Sequence, residues 1–195
     1  MRFFNSLFLL LLFTATVFAA KLPPNQFVDS RDKQKYRTVK IADRTWLADN
    51  LNYKMEGSYC YKDDDSQCDI YGRLYTWAAA KQACPAGFRL ANQEDFQSLW
   101  TAAGEDYNAG YLIKSSYGWS GDTNGNDTLK FGAMPAGNRF DDETYGNVYK
   151  FAFFWSADAE SVENAYLWYL TSKSMAFSYT KQSKAYAASV RCVKK

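Results

Sequence analysis

The chain has 195 residues, 47% hydrophobic and 18% aromatic, with 23 Lys and Arg against 21 Asp and Glu and no histidine. A formal charge of +2 supplies no field to recruit nucleic acid or an anionic membrane. The missing imidazole excludes Ser-His-Asp and Cys-His nucleophile systems and His-ligated zinc or haem, while carboxylate-pair chemistry stays open.

Arg2 precedes the apolar run Leu7 to Phe13, and Thr14 to Ala20 follow with mostly small residues. A basic start, a short apolar stretch and a small-residue end describe a secretory signal peptide. Val17 and Ala19 fit the positions before the cut, so cleavage is expected after Ala19, with Ala20 as the second choice. The apolar stretch is shorter than the roughly 20 residues a membrane-crossing helix needs. The expected organisation is a signal peptide over 1–19, a tether over 20–30 containing Pro23-Pro24, and one domain over 31–195. No membrane span is expected after signal removal, so the protein is expected to be secreted or at the cell surface. Five phenylalanines leave with the signal, yet the remainder stays about 17% aromatic.

Tyr36 to Ile41 alternates with period two, Ala42-Asp43-Arg44 turns, and Thr45-Trp46-Leu47 resumes, predicting a β-hairpin. Thr76 to Cys84 is alanine-rich, with Thr76 as N-cap and Pro85 as the stop. Asn92 caps a second helix, with Asp95 at the capping-box position, and Phe96, Leu99, Trp100 and Ala103 on one face. Gly104 ends it. From Gly104 to Lys150 lies a long irregular region holding eight of the eleven glycines, and loops of that length are usually functional or disordered. Its aromatic punctuation argues against disorder. Phe151 to Trp155, Tyr166 to Leu170, Met175 to Tyr179 and Tyr186 to Cys192 predict strands. The order of hairpin, two helices, long loop region and antiparallel sheets predicts an α+β domain.

Cys60, Cys68, Cys84 and Cys192 form an even set in an exported chain, which favours two disulfides over metal ligands. Three pairings are possible. Cys60-x7-Cys68 would close a small loop, and Cys84 with Cys192 would then tie the middle of the chain to its last strand. The close C-x2-4-C pairs of a structural zinc site are missing.

Trp77-x2-Ala80-x3-Cys84-Pro-Ala-Gly87-Phe-Arg-Leu90-Ala91-Asn92-x-Glu94-x-Phe96-x2-Leu99 resembles the two-helix core of C-type lectin-like domains. That resemblance implies a Cys84–Cys192 bond. Further motifs extend the likeness along most of the chain: Asp29-Ser30-Arg31-Asp32, Tyr36 through Tyr53, Tyr71-Gly72-Arg73-Leu74-Tyr75-Thr76-Trp77, Phe131-Gly132-x2-Pro135-Ala136-Gly137-x-Arg139, Phe154-Trp155-Ser156 and Ser189-Val190-Arg191-Cys192-Val193. Together they resemble the Fibrobacter succinogenes major paralogous domain. This resemblance implies an exported bacterial protein with a C-type lectin-like core. The sugar-binding motifs of C-type lectins, Glu-Pro-Asn or Gln-Pro-Asp and then Trp-Asn-Asp, are absent; Met134-Pro135-Ala136 and Trp155-Ser156-Ala157 stand instead. Nor does the reactive cysteine pair of formylglycine-generating enzymes carry over, because all four cysteines occupy structural positions.

Asp122, Asn124, Asn126 and Asp127 place oxygen ligands around Gly125 and are the calcium expectation. An EF-hand would need Glu at position twelve, which is Ala133. No cofactor other than calcium is expected. Flat sugar faces stack on Trp and Tyr, so the loop aromatics Tyr117, Trp119 and Tyr145, with Tyr149 and Trp168, are the expected ligand platforms. Trp46, Trp77, Trp100 and Trp155 are expected in the core. No carboxylate pair stands out for glycoside hydrolysis, so an enzyme is not expected. The expected function is a secreted non-catalytic binding module for plant-cell-wall polysaccharide or a cell-surface partner. The alternative is a structural or protein-interaction module of the cell envelope with no carbohydrate ligand.

Overall fold

The computed structural model describes residues 25–195. The expected signal peptide and residues 20–24 of the expected tether lie outside the described residues. The folded part starts earlier than the expected boundary at 31, because β1 (Gln26–Val28) pairs antiparallel with β2 (Lys35–Ile41) and closes that sheet edge.

β2 turns through Ala42, held at φ +50°, into β3 (Arg44–Leu47). A short β4 (Ser58–Tyr59) leads to α1 (Asp65–Tyr71), β5 (Leu74–Thr76) and α2 (Trp77–Ala83). Thr76 Oγ1 accepts the Ala79 N–H, and the small Ala79, Ala80 and Ala83 let α2 lie close against the core. β6 (Phe88–Leu90) runs into α3 (Gln93–Ala102), whose capping box is complete: Asn92 Oδ1 accepts the Asp95 N–H and Asp95 accepts the Asn92 N–H. Next come α4 (Ala109–Ile113), β7 (Ala136–Arg139), β8 (Tyr145–Val148), β9 (Phe151–Ala159), β10 (Asn164–Thr171), β11 (Ser174–Ser183), β12 (Ala187–Ala188) and β13 (Cys192–Lys194). The result is α+β. Two helices were expected and four are described; the Asp63-Asp64-Asp65 run starts α1, with Asp64 accepting the Ser66 N–H as N-cap.

Three antiparallel sheets are ordered β1-β2-β3-β13-β6, β11-β10-β9 and β4-β5-β12-β7-β8. β13 therefore lies inside the first sheet, joining the opening hairpin to β6. The two disulfides are Cys60–Cys68 and Cys84–Cys192. The second joins the end of α2 to β13, as the likeness to C-type lectin-like domains implied. Two large apolar clusters fill the interior, one around Trp155 and Tyr75, the other around Trp46, Phe96, Phe131 and Phe154. Arg191 lies fully buried beside the second cluster. Its guanidinium donates to Asn50 Oδ1 at 2.8 Å, Phe131 O at 2.6 Å and Gly132 O at 2.8 Å, and burial pushes it down to about 9.

The long irregular region is ordered by its own knot. Lys114, fully buried, donates to the carbonyls of Thr171, Ser174 and Thr123 and sits over the Trp119 ring. Gly125 makes that approach possible: a Cβ there would stand 2.4 Å from Lys114 O.

Candidate functional site

The α3 residues Phe96 and Trp100 face aromatic side chains of the β10–β11 hairpin, and an aromatic ladder runs from core to surface between them. Phe96 stacks on Trp168 at 5.6 Å, Trp168 packs on Phe177 at 4.7 Å, and Tyr179, the cross-strand partner of Trp168, lies 5.3 Å from it. On β11, Phe177 and Tyr179 share a face by the period-two rule, so the strand carries its apolar side past the edge of the core. Phe177 is buried; Tyr179 is 57% exposed.

Where α3 ends, Glu105 adopts φ +55° and donates its N–H to Trp100 O. The turn then sets Tyr107, 69% exposed, beside Trp100 and Tyr179. The outcome is an open groove of about 430 Å³ bounded by Gln97, Trp100, Glu105, Asp106, Tyr107 and Tyr179, within the roughly 300–1,000 Å³ of typical ligand sites. Thr101 Oγ1 donates to Glu105 Oε1 at 2.6 Å, and the Asn108 N–H donates to Asp106 Oδ1 at 2.6 Å, so each carboxylate is anchored through one oxygen. Lys and Arg are absent from the residues bounding the groove. The chemistry available is flat apolar faces flanked by hydrogen-bond acceptors.

The expected ligand platforms are not brought together. Trp119 is 5% exposed and Trp168 3%, which corrects the expectation that either ring is offered at the surface. Trp119 Nε1 donates to Ser115 Oγ and Ala133 O, so this indole forms the loop's own core. Trp168 donates to Gln93 Oε1 and forms the base of the groove rather than its face. Tyr117 is 66% exposed and borders a different, polar cleft. The Tyr145 hydroxyl donates to Asp63 Oδ1 at 2.6 Å, its ring edge-on to Tyr61. Tyr149 is half exposed and packs edge-on against Tyr71.

Trp100, Tyr107 and Tyr179 are the groove residues that sequence reasoning missed. Trp100 was expected in the core from its helical spacing, and it is only partly buried. A readable signal did exist: Tyr179 ends the alternating run Met175, Phe177, Tyr179 just before Thr180-Lys181-Gln182.

Three of the four calcium-expectation oxygens are engaged locally. Asn124 Oδ1 accepts the Trp119 N–H, Asn126 Oδ1 the Thr128 N–H and Asp127 Oδ1 the Gly132 N–H, while Asp122 is exposed. Among the described residues, no group of three or more His, Cys, Asp or Glu could hold a metal ion. No described helix is long and apolar enough to cross a membrane.

Residues 39–194 match the Fibrobacter succinogenes major domain. No curated protein matches the chain.

Proposed function

We propose that this chain, which belongs to the Fibrobacter succinogenes major domain family, is an exported, non-catalytic binding module for plant-cell-wall polysaccharide, built on a C-type lectin-like scaffold. The observation that carries the reading is the groove in which Tyr107 and Tyr179 stand exposed over the buried Trp168–Phe177 base. Rigid aromatic faces stack on the flat faces of sugar rings at low entropic cost, and tyrosine hydroxyls serve the ring edges. The second oxygens of Glu105 and Asp106 and the amide of Gln97 are acceptors for sugar hydroxyls. Two carboxylates with no basic residue among the bounding side chains favour a neutral chain over an anionic one. The Cys84–Cys192 bond between α2 and the last strand supports the scaffold assignment.

Retention of residues 20–195 on insoluble cellulose, xylan and mannan, with and without calcium, tests the reading. Retention on at least one neutral polymer is expected. The alternative, an envelope interaction module with no carbohydrate ligand, draws its support from the burial of Trp119 and Trp168. It predicts no retention on any polymer.

A further inference from the structure

A second concavity shares no residue with the aromatic groove. It is a polar cleft of about 170 Å³ between the first half of β2, the chain after β3, the end of α1 and the loop that carries Tyr117. Arg37 lies in its wall, with Nε and Nη2 on Asp49 Oδ1 at 2.8 and 2.6 Å and Nη2 also on Ala48 O. Those bonds leave Nη1 with its two protons. Near it stands Asp127, which uses Oδ1 on the Gly132 N–H, and burial pushes its carboxyl above the ordinary value. Gly132, at φ +62°, separates the two: a Cβ there would lie 3.0 Å from Arg37 Nη2 and 3.8 Å from Asp127 Oδ2. Arg37 and Asp127 do not form an ion pair, although each lies beside the same glycine.

Asn52 adds the decisive group. Its N–H donates to the Tyr36 hydroxyl, but Asn52 Oδ1 is buried with no hydrogen-bond partner. An orphaned buried acceptor costs about 1–3 kcal/mol, and rotation of the Asn52 side chain, which lines the cleft, would offer it to a ligand donor. Tyr71 and the exposed Tyr117 add aromatic surface to the cleft.

A cation with spare protons, a carboxylate with a spare oxygen and an orphaned amide oxygen demand a ligand whose neighbouring atoms both donate and accept. Vicinal hydroxyls do so. A simple anion would meet Asp49, Asp69 and Asp127, and among the described residues no group of three His, Cys, Asp or Glu could hold a metal ion. The space is below that of a drug-sized ligand and suits one ring. We propose that this cleft binds a single neutral sugar ring, as the terminal residue of a glycan, through Arg37, Asn52 and Asp127. The proposal rests on the glycan-binding reading but not on the groove.

The test is a titration of ¹⁵N-labelled residues 20–195 with millimolar glucose, xylose, galactose, arabinose and mannose, followed by amide shifts. At least one sugar should move the Gly132 N–H and the Asn52 side-chain amide. Asn52→Ala and Asp127→Asn should each weaken binding about tenfold, the loss of one hydrogen bond of about 1.4 kcal/mol. Tyr117→Ala, at an exposed position, should weaken it as well, which keeps the test decisive if Asn52→Ala does not fold. A Tyr107→Ala/Tyr179→Ala protein should keep the sugar-induced shifts of the Gly132 N–H and the Asn52 side-chain amide, so failure of the groove and failure of the cleft are separable. No shift at these two groups with any of the five sugars overturns the proposal, as do equal shifts with glucuronate or inorganic phosphate.

Discussion

The Lys114 ammonium lies 4.5 Å from the centroid of the Trp119 ring, fully buried, with the carbonyls of Thr171 at 2.9 Å and Ser174 at 3.0 Å as its nearest acceptors. Among the described residues no carboxylate pairs with it. One cation thus ties the end of α4 to the β10–β11 turn and orders the loop, using carbonyl dipoles and a ring face in place of a counter-charge.

Burial pushes Lys114 down to about 8 from an ordinary 10.5. The unfolded chain therefore holds this proton more tightly than the folded one. Between about 8 and 10.5 the folded state gains stability as pH rises, because it no longer has to carry a buried charge. Wild type should gain about 1–3 kcal/mol relative to Lys114→Met across that window. Urea unfolding of both proteins at several pH values measures it, and a flat difference would refute it.

The Cys84–Cys192 bond spans 108 residues and Cys60–Cys68 only 8. By loop-closure entropy, Cys84→Ser with Cys192→Ser should cost about 4–5 kcal/mol, and Cys60→Ser with Cys68→Ser about 2–3. The order of the two urea midpoints checks this directly.

Asp95 is fully buried yet serves three groups: the Asn92 N–H, Arg89 and Arg44. Burial alone would raise its carboxyl, but the Arg89 bond, the Asn92 N–H and both arginine charges outweigh it and hold it below 3.8. Its stabilisation is complete above 3.8 and disappears as pH falls through the depressed value. Asp95→Asn should cost about 3 kcal/mol near neutrality, and the gap to wild type should narrow in acid. Calorimetric midpoints of both proteins as a function of pH decide it.

How far the sequence reaches is clear from particular residues. Asn92 and Asp95 announced α3, because a capping box is local and its spacing is visible in one turn. The hairpin of β2 and β3 was legible from period-two alternation around Ala42. The loop aromatics were not. Trp119 and Tyr117 are two residues apart and alike in composition, but the Lys114 cage draws one inward and leaves the other at a cleft. That choice depends on Thr171 and Ser174, more than fifty residues away. The groove itself was hidden for the same reason: Trp100, Tyr107 and Tyr179 come from separate parts of the chain and meet only in the folded protein.

Equilibrium depletion of residues 20–195 on an insoluble neutral plant polysaccharide, wild type beside Tyr107→Ala/Tyr179→Ala, tests the binding groove most directly. Tyr107 is exposed but Tyr179 also packs on Trp168, so the double variant should stay folded with its thermal midpoint lowered by about 2–4 °C. At about 1 kcal/mol for each lost aromatic face, its affinity should fall about ten- to thirtyfold. Equal retention of the two proteins, or retention of neither on cellulose, xylan or mannan, would contradict the groove as a polysaccharide site.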